Sequence, residues 1–190
     1  MESTRSSSSF TDRLIGILTF KAPIYREVAE DPAATQQALI VVVVSAILSA
    51  LLYGGSTAAT GGRYPIFNAL GALFGTLIGW AIGAWFLSFV ATKFFNGRTN
   101  FQEMLRVTGY VAVFDILFGI PIIGFLAGIL HLVGIVIGIR EAAEITTTQA
   151  VGVGIITVVL LCVVLLVFAI LLGLCLAPFA IAGAMFSSNP

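Results

Sequence analysis

The sequence has few charged side chains. Asp, Glu, Lys and Arg make up 9% of its 190 residues, whereas an ordinary soluble domain is about one quarter charged. Nine acidic and nine basic residues give a net charge of zero. No basic patch is interleaved with aromatic residues, so the sequence lacks the electrostatic footprint of a nucleic-acid-binding protein. We expect no nucleic-acid partner.

Cysteine and histidine are also scarce. Cys162 and Cys175 belong to one apolar run, where a helix would hold them about 20 Å apart, too far for a mutual disulfide. We interpret both as small apolar side chains. One histidine and two distant cysteines offer no zinc ligand set, and no HExxH, GxSxG or Walker motif is present. The sequence predicts a protein that is not an enzyme and uses no metal or cofactor.

Apolar residues are abundant instead. They make up 59% of the chain, and the mean hydropathy is +1.10. Several runs approach or exceed the roughly 20 residues that cross a hydrocarbon core about 30 Å thick. The sequence therefore predicts an all-α, polytopic membrane bundle of five transmembrane helices in residues 35–190, with the lipid bilayer as its solvent. The predicted spans are residues 37–54, 66–94, 105–119, 122–139 and 150–176.

The N-terminal 34 residues are more polar than the rest. We expect a disordered tail in residues 1–9 and a cytoplasmic interfacial segment in residues 10–34. Phe10, Leu14, Ile17 and Leu18 recur with helical spacing while Arg13 falls elsewhere, which is typical of a short amphipathic helix lying at the membrane surface. A second short helix is predicted to start at Pro23 and to end before Pro32, with Asp31 capping the first span.

The basic residues predict the orientation. With a cytoplasmic N-terminus, the positive-inside rule is obeyed by eight of the nine basic residues, and Arg63 alone lies outside. Five spans then bring the C-terminus to the outer side. We expect a multi-pass protein of the cell membrane, plasma or inner.

Glycines recur at every fourth position in the second span. Close backbone approach through small residues supplies packing energy where lipid gives helices no hydrophobic reason to associate. We favour packing against the chain's own helices over a face for a second copy, and Gly124 and Gly128 form a weaker version in the fourth span. The glycines of the main stripe are Gly71, Gly75, Gly79 and Gly83.

Two ionisable residues lie inside predicted spans. Asp115 is in the third span and His131 in the fourth, and an intramembrane carboxylate is expected to face protein or water. A hairpin at Pro121 would bring both residues to the same side of the bilayer midplane. We expect structural pairing first, and a ligand-binding or proton-carrying role, including pigment or haem ligation by His131, as the alternatives.

Four stretches carry a family resemblance. Arg13-Leu14-Ile15-Gly16, Pro23-Ile24-Tyr25-Arg26-Glu27 and Glu30-Asp31-Pro32, together with FNGRTNFQEMLRVTGY at residues 95–110, resemble the bacterial branch of the Yip-domain family, named for Ypt-interacting proteins. The resemblance covers nearly the whole chain and implies a five-span fold. Eukaryotic relatives associate with Rab-type GTPases and carry a longer cytoplasmic region before the spans. With only residues 1–34 ahead of the spans, we regard GTPase binding as doubtful here.

We therefore predict a membrane scaffold or interaction partner that presents its cytoplasmic face to another integral membrane protein or to a second copy. An accessory subunit of a larger membrane complex is a close variant. The rival hypothesis is a small transporter or ion pathway that uses Asp115 and His131. The predicted partner-binding residues are Tyr25, Arg26, Glu27, Asp31, Arg98 and Glu103.

Overall fold

The computed structural model describes residues 8–59, 65–117 and 122–187, and all regular structure in these ranges is helical. The prediction of an all-helical protein is confirmed for this part of the chain. The described elements are α1 (Phe10–Leu18), α2 (Ala22–Glu30), α3 (Ala34–Ala59), α4 (Pro65–Phe95), α5 (Phe101–Val111), a 3₁₀ segment (Ala112–Leu117), α6 (Ile123–Ala143) and α7 (Thr147–Ser187).

Four of these helices are long and apolar enough to cross a membrane, and they coincide with four of the five predicted spans. They are Ala34–Leu52, Ile66–Phe95, Ile123–Ala143 and Thr147–Cys175. These helices indicate a multi-pass membrane protein. Residues 105–119, the third predicted span, are not among them, because the chain tightens from α5 into the 3₁₀ segment at Ala112 and neither piece is long enough alone.

Two predicted boundaries differ from the structure. The first span was expected to end at residue 54, but α3 continues to Ala59. The last span was expected to end near residue 176, whereas α7 continues past Pro178 to Ser187. Tertiary and membrane surroundings override single helix-breaking residues in this way. The predicted turn at Pro121 and most of the predicted disordered tail fall outside the described residues.

Helix α5 occupies the centre of the bundle and is buried from Arg106 to Val111. Small residues allow its neighbours to approach. A Cβ at Gly109 would lie 2.8 Å from the Cβ of Ala38 on α3, and one at Gly138 on α6 would lie 2.4 Å from Cγ1 of Val107. Glycine therefore permits close packing of α5 against both α3 and α6.

The beginning of α7 packs on the bundle, whereas residues 158–175 largely do not. Ala150 and Val153 are fully buried, and a Cβ at Gly152 would lie 2.9 Å from the ring of Phe95. From residue 158 to residue 175 most side chains are exposed and apolar, which suits contact with lipid. Cys162 and Cys175 are free and exposed on this surface.

One end of the bundle gathers the polar elements. The amide of Arg98, in the turn between α4 and α5, donates to the carbonyl of Ala143 at the end of α6 at 2.8 Å. The side chain of Arg26 on α2 binds Glu144, directly after α6. We call this region the polar end, and the unit formed by residues 8–31, including α1 and α2, the collar.

Candidate functional site

The polar end is centred on the buried side chain of Arg13, which is 1% exposed. Its Nε donates to Glu27 Oε1 at 3.0 Å, and its Nη2 donates to Asp31 Oδ2 at 2.5 Å. Its Nη1 donates to Gln37 Oε1 at 3.0 Å. We call these four residues the Arg13 cluster. One guanidinium thus joins α1 to α2, to the junction between α2 and α3, and to the first turns of α3.

Further hydrogen bonds complete the Arg13 cluster. The amide and hydroxyl of Ser8 donate to the two carboxylate oxygens of Glu27 at 3.0 and 2.8 Å. The amide of Ala33 donates to Asp31 Oδ1 at 2.9 Å, and the Tyr110 hydroxyl donates to Gln37 Oε1. Every carboxylate oxygen of the cluster therefore has a donor, which offsets the penalty for removing two carboxylates and a guanidinium from water.

Local sequence explains how Arg13 reaches these partners. Ser9 and Asp12 form a reciprocal capping box that starts α1. The helix ends as Phe20 adopts a positive φ of 56° and the amide of Lys21 donates to the carbonyl of Gly16 at 2.9 Å. A Cβ on Gly16 would lie 2.6 Å from Cγ1 of Ile24, so glycine permits α1 and α2 to pack closely.

The burial of Arg13 corrects the predicted face of α1. The apolar stripe was expected to include Leu18 and to exclude Arg13, but Leu18 is 43% exposed while Arg13, Gly16 and Ile17 are buried. The free-energy cost of burying a guanidinium is lower when it binds three acceptors than its charge alone suggests. The side of α1 that carries Arg13 therefore packs on the protein.

The ionisation of the cluster follows from these contacts. Burial works against the charged form of Glu27, but the hydrogen bonds from Ser8 and Arg13 outweigh it and lower the pKa of its carboxyl. The Arg13 hydrogen bond, which exceeds the opposing effect of burial, lowers the pKa of the Asp31 carboxyl. Burial also opposes the charge of Arg13, yet the bonds to Asp31 and Glu27 leave its pKa raised. The cluster is therefore ionised at neutral pH.

Tyr25 was predicted to bind a partner, but its side chain belongs to the core. It is fully buried, and its hydroxyl donates to the carbonyl of Ile17 at 3.0 Å. A Cβ at Gly134 would lie 3.5 Å from that hydroxyl, and one at Gly138 would lie 3.6 Å from the ring. Desolvation raises the pKa of the Tyr25 phenol. In this arrangement Tyr25 packs the collar onto α6 and has no surface to offer.

Arg26 lies at the surface of the polar end, with a side chain that is 42% exposed. Its Nε donates to Glu30 Oε1 at 2.8 Å, and Nη2 binds Glu144. These bonds, the one to Glu144 first, raise the pKa of the Arg26 guanidinium. Glu144 itself has a positive φ of 54°, in the turn that follows α6. We call Arg26, Glu30 and Glu144 the exposed triad.

The other two predicted partner-binding residues are Arg98, in the turn between α4 and α5, and Glu103, in the first turn of α5. Glu103 and Asn100 form the expected capping box at the start of α5, with the Glu103 amide donating to Asn100 Oδ1 at 3.0 Å. Arg98 is exposed. The six predicted residues therefore do not form one surface: Glu27 and Asp31 bind Arg13, Tyr25 is internal, and Glu103 caps a helix.

The glycine stripe of α4 does not pack against the described helices. A Cβ built on any of its four glycines would meet no atom within 4 Å. The preference for packing against the chain's own helices is therefore wrong within the described structure, and a face for a second copy stays a prediction. The glycines without such a neighbour are Gly71, Gly75, Gly79 and Gly83. Gly124 and Gly128 are half-buried on α6.

Asp115 and His131 come together as expected. Asp115 Oδ1 in the 3₁₀ segment lies 2.6 Å from Nδ1 of His131 on α6, and the two side chains are 22% and 25% exposed. Among the described residues, no group of three or more His, Cys, Asp or Glu side chains is arranged to hold a metal ion.

The sequence contained a signal for the importance of Arg13 that periodicity alone obscured. Arg13 lies three residues after Phe10 and four before Ile17, so it falls between two inward-facing residues of one helical face. Gln37 and Tyr110 carried no comparable signal, because 73 residues separate them in sequence. Their contact depends on α5 lying beside the start of α3.

The comparisons with known proteins agree with this architecture at the level of family. A sequence model described as the Yip1 domain matches residues 15–169. No curated protein and no solved structure gave a match. The matched segment begins inside α1, beyond Arg13, and ends within α7, so it includes Glu27, Asp31, Gln37 and Tyr110. Because the match spans most of the 190 residues, the chain belongs to the Yip1 domain family.

Proposed function

We propose that this Yip1 family protein is a non-enzymatic membrane scaffold, which uses the collar to present a preorganised polar surface to another integral membrane protein. The supporting observation is the Arg13 cluster. By holding α1 and α2 against α3, it reduces the conformational freedom that a binding surface would otherwise lose on association.

The exposed triad is the part of this surface that we assign to the partner. Its residues come from α2 and from the end of α6, so their relative positions depend on an intact collar. Exposed ion pairs contribute only about 0 to 1 kcal/mol each to stability. The triad can therefore exchange its internal pairs for a partner's charges at small cost, and Arg98 adds an exposed cation to the same end.

The test is site-specific crosslinking in native membranes. A photo-reactive residue at position 26 or 144 should capture one defined membrane protein, while the same residue at position 30 reports the edge of the surface. Position 155 on α7, where Ile155 is 61% exposed, is the matched control for lipid-facing positions. Equal crosslinking from positions 26 and 155, or a protein that remains solitary in mild detergent, would contradict the proposal.

An accessory subunit of a larger complex is the same hypothesis with a stable partner. Crosslinked products that co-purify stoichiometrically would favour the subunit, and transient products would favour a scaffold. Self-association is tested in parallel by mixing two differently tagged copies. GTPase binding remains doubtful, because residues 8–31 are folded into the collar and bind the chain's own residues.

The proposed topology has five crossings, with a cytoplasmic N-terminus in the plasma or inner membrane and an outer C-terminus. Helix α5 and the 3₁₀ segment have 11 and 6 residues, which together rise about 28 Å and nearly match the hydrocarbon core. A cysteine introduced at position 98 should react with membrane-impermeant reagents only from the cytoplasmic side. A C-terminal reporter on that same side would contradict five crossings.

A second candidate function, a small transporter or proton pathway, is favoured by the Asp115–His131 pair. Intramembrane ionisable groups often mark such routes, and these two are in direct contact. Proton flux in proteoliposomes that is abolished by Asp115→Asn and unaffected by Arg26→Gln would support this function over the scaffold. Flux that is absent, or that survives both substitutions, would remove it.

A further inference from the structure

A second buried guanidinium lies beside the Arg13 cluster. Arg106 on α5 is 4% exposed, and its Nε donates to the carbonyl of Gln102 at 3.2 Å. Its Nη1 is buried, and no hydrogen-bond partner for this atom is found among the described residues. A buried donor without a partner is destabilising, and more so when it is charged, so this arrangement calls for an explanation.

The register of α3 against α5 brings Arg106 close to Asp31. Both helices start at the polar end, and the contact between Gly109 and Ala38 aligns them. Arg106 lies one helical turn before Gly109 on α5, and this places it level with the start of α3. Asp31, which accepts a hydrogen bond from the amide of Ala33, is at that start. Consistently, the charge of Arg106 contributes to lowering the pKa of the Asp31 carboxyl, although the two are not in ion-pair contact.

We infer that the collar has two arrangements in which Asp31 exchanges guanidinium partners, so that α1 is a detachable arm. In the closed arrangement, which the structure shows, Asp31 binds Arg13. In the open arrangement α1 leaves with Arg13, and Arg106 takes Asp31 in its place. The exchange gives Nη1 of Arg106 the acceptor that it lacks in the closed arrangement, and it keeps a cation beside the Asp31 carboxylate after Arg13 has left.

The hinge for this motion is the turn after α1. Phe20 holds a positive φ of 56° although it is not glycine, a backbone conformation that is strained for a residue with a side chain. Its ring stacks on Phe114 with 5.6 Å between centroids, which opposes release. Opening would expose Ile17, now fully buried, and the face of α5 that carries Tyr110. This inference concerns the mobility of the collar and stands apart from the identity of any partner.

Cysteine accessibility measures the open population directly. In a background with Cys162→Ala and Cys175→Ala, Ile17→Cys reports release of α1. Val153→Cys, equally buried on α7, reports loss of the whole fold. Arg106→Gln should slow maleimide labelling at position 17 by about tenfold or more, because the open arrangement loses a charge-assisted hydrogen bond. Arg13→Gln should accelerate labelling at position 17 more than labelling at position 153.

The decisive comparison uses Asp31→Asn. If Arg106 acts through Asp31, Arg106→Gln changes labelling only when the Asp31 carboxylate is present and has no effect when it is combined with Asp31→Asn. If Arg106→Gln slows labelling at position 17 equally with and without Asp31→Asn, the effect comes only from removing the unpaired charge of Arg106, and the proposed exchange of partners is overturned. Acceleration at position 17, or a chain that cannot fold without the Arg106 charge, would also overturn it, since both make Arg106 a support of the closed form.

Discussion

Replacement of Arg13 by glutamine is the sharpest perturbation of the collar. The side chain has three acceptors, and two of them are carboxylates with no other cation within 4 Å among the described residues. Removing one member of a buried ion pair costs about 3 to 5 kcal/mol, because the remaining charge stays buried. Glu27 and Asp31 keep side-chain exposures of 30% and 25%, so water recovers part of that loss. We therefore expect Arg13→Gln to lower the free energy of unfolding by about 2 to 4 kcal/mol.

The measurement is equilibrium unfolding in mixed detergent micelles, followed by tryptophan fluorescence. Trp80 is a suitable reporter, because its indole Nε1 donates to Leu105 O and to Thr108 Oγ1 on the central helix, at 3.1 Å in each case. Arg26→Gln is the matched control. It removes the same charge from an exposed triad and should cost less than about 1 kcal/mol.

Two further variants locate the cause. Arg13→Lys keeps the charge but cannot reach three acceptors with a planar fork, so it should fall between wild type and Arg13→Gln. Arg13→Gln combined with Glu27→Gln and Asp31→Asn leaves no uncompensated charge and should be more stable than Arg13→Gln alone. If Arg13→Gln costs no more than Arg26→Gln, the Arg13 guanidinium does not hold the collar together and the reasoning is refuted.

Three other predictions follow from the described contacts. Because the pKa values of Glu27 and Asp31 are lowered in the folded state, their stabilisation is present above their ordinary pKa values of about 4 and is lost as the pH falls through the folded values. Accordingly, stability measured from about pH 6 down to about pH 3 should fall more steeply for wild type than for Arg13→Gln, and parallel curves would argue against it. Gly138→Ala should destabilise the fold by about 1 to 3 kcal/mol because its Cβ would overlap Val107, whereas Gly75→Ala, in open space, should cause no loss of stability; equal effects in a detergent melt would contradict the packing around α5. A double-mutant cycle of Asp115→Asn and His131→Gln should give a coupling of about 0.5 to 2 kcal/mol, and strict additivity would mean that the observed contact contributes nothing.

The sequence predicts much of this fold because membrane-spanning helices can be recognised from their apolar composition. Long apolar runs predict α3, α4, α6 and α7, and Asn100 with Glu103 predicts the start of α5. The central position of α5 was not predictable, since it depends on contacts such as Gly138 with Val107 that join residues distant in sequence.

The candidate site was only partly predictable for the same reason. Glu27 and Asp31 were identified as important, but their common partner Arg13 was placed on the outer face of α1. Hydrophobic periodicity alone places a charged residue on the exposed face of a helix, because the partners that would allow its burial cannot be identified from the pattern. Conversely, glycine spacing predicted a packed face on α4 where the described structure has open space. The spacing shows that another helix could approach this backbone closely, but it does not show that one does.

The order in which the Arg13 cluster is synthesised has a consequence for assembly. Arg13, Glu27, Asp31 and Gln37 lie close together in sequence, the two most distant being 24 positions apart, and their loop-closure entropy is correspondingly small. The collar can therefore form as soon as α3 begins to enter the membrane, before the rest of the chain is translated. Tyr110 arrives 73 residues after Gln37, and only then can the last hydroxyl join the cluster. If the collar folds during translation, its contact with α5 forms only after α5 has been synthesised. A truncated chain that ends before α5 would then form the collar but not its packing against the rest of the bundle.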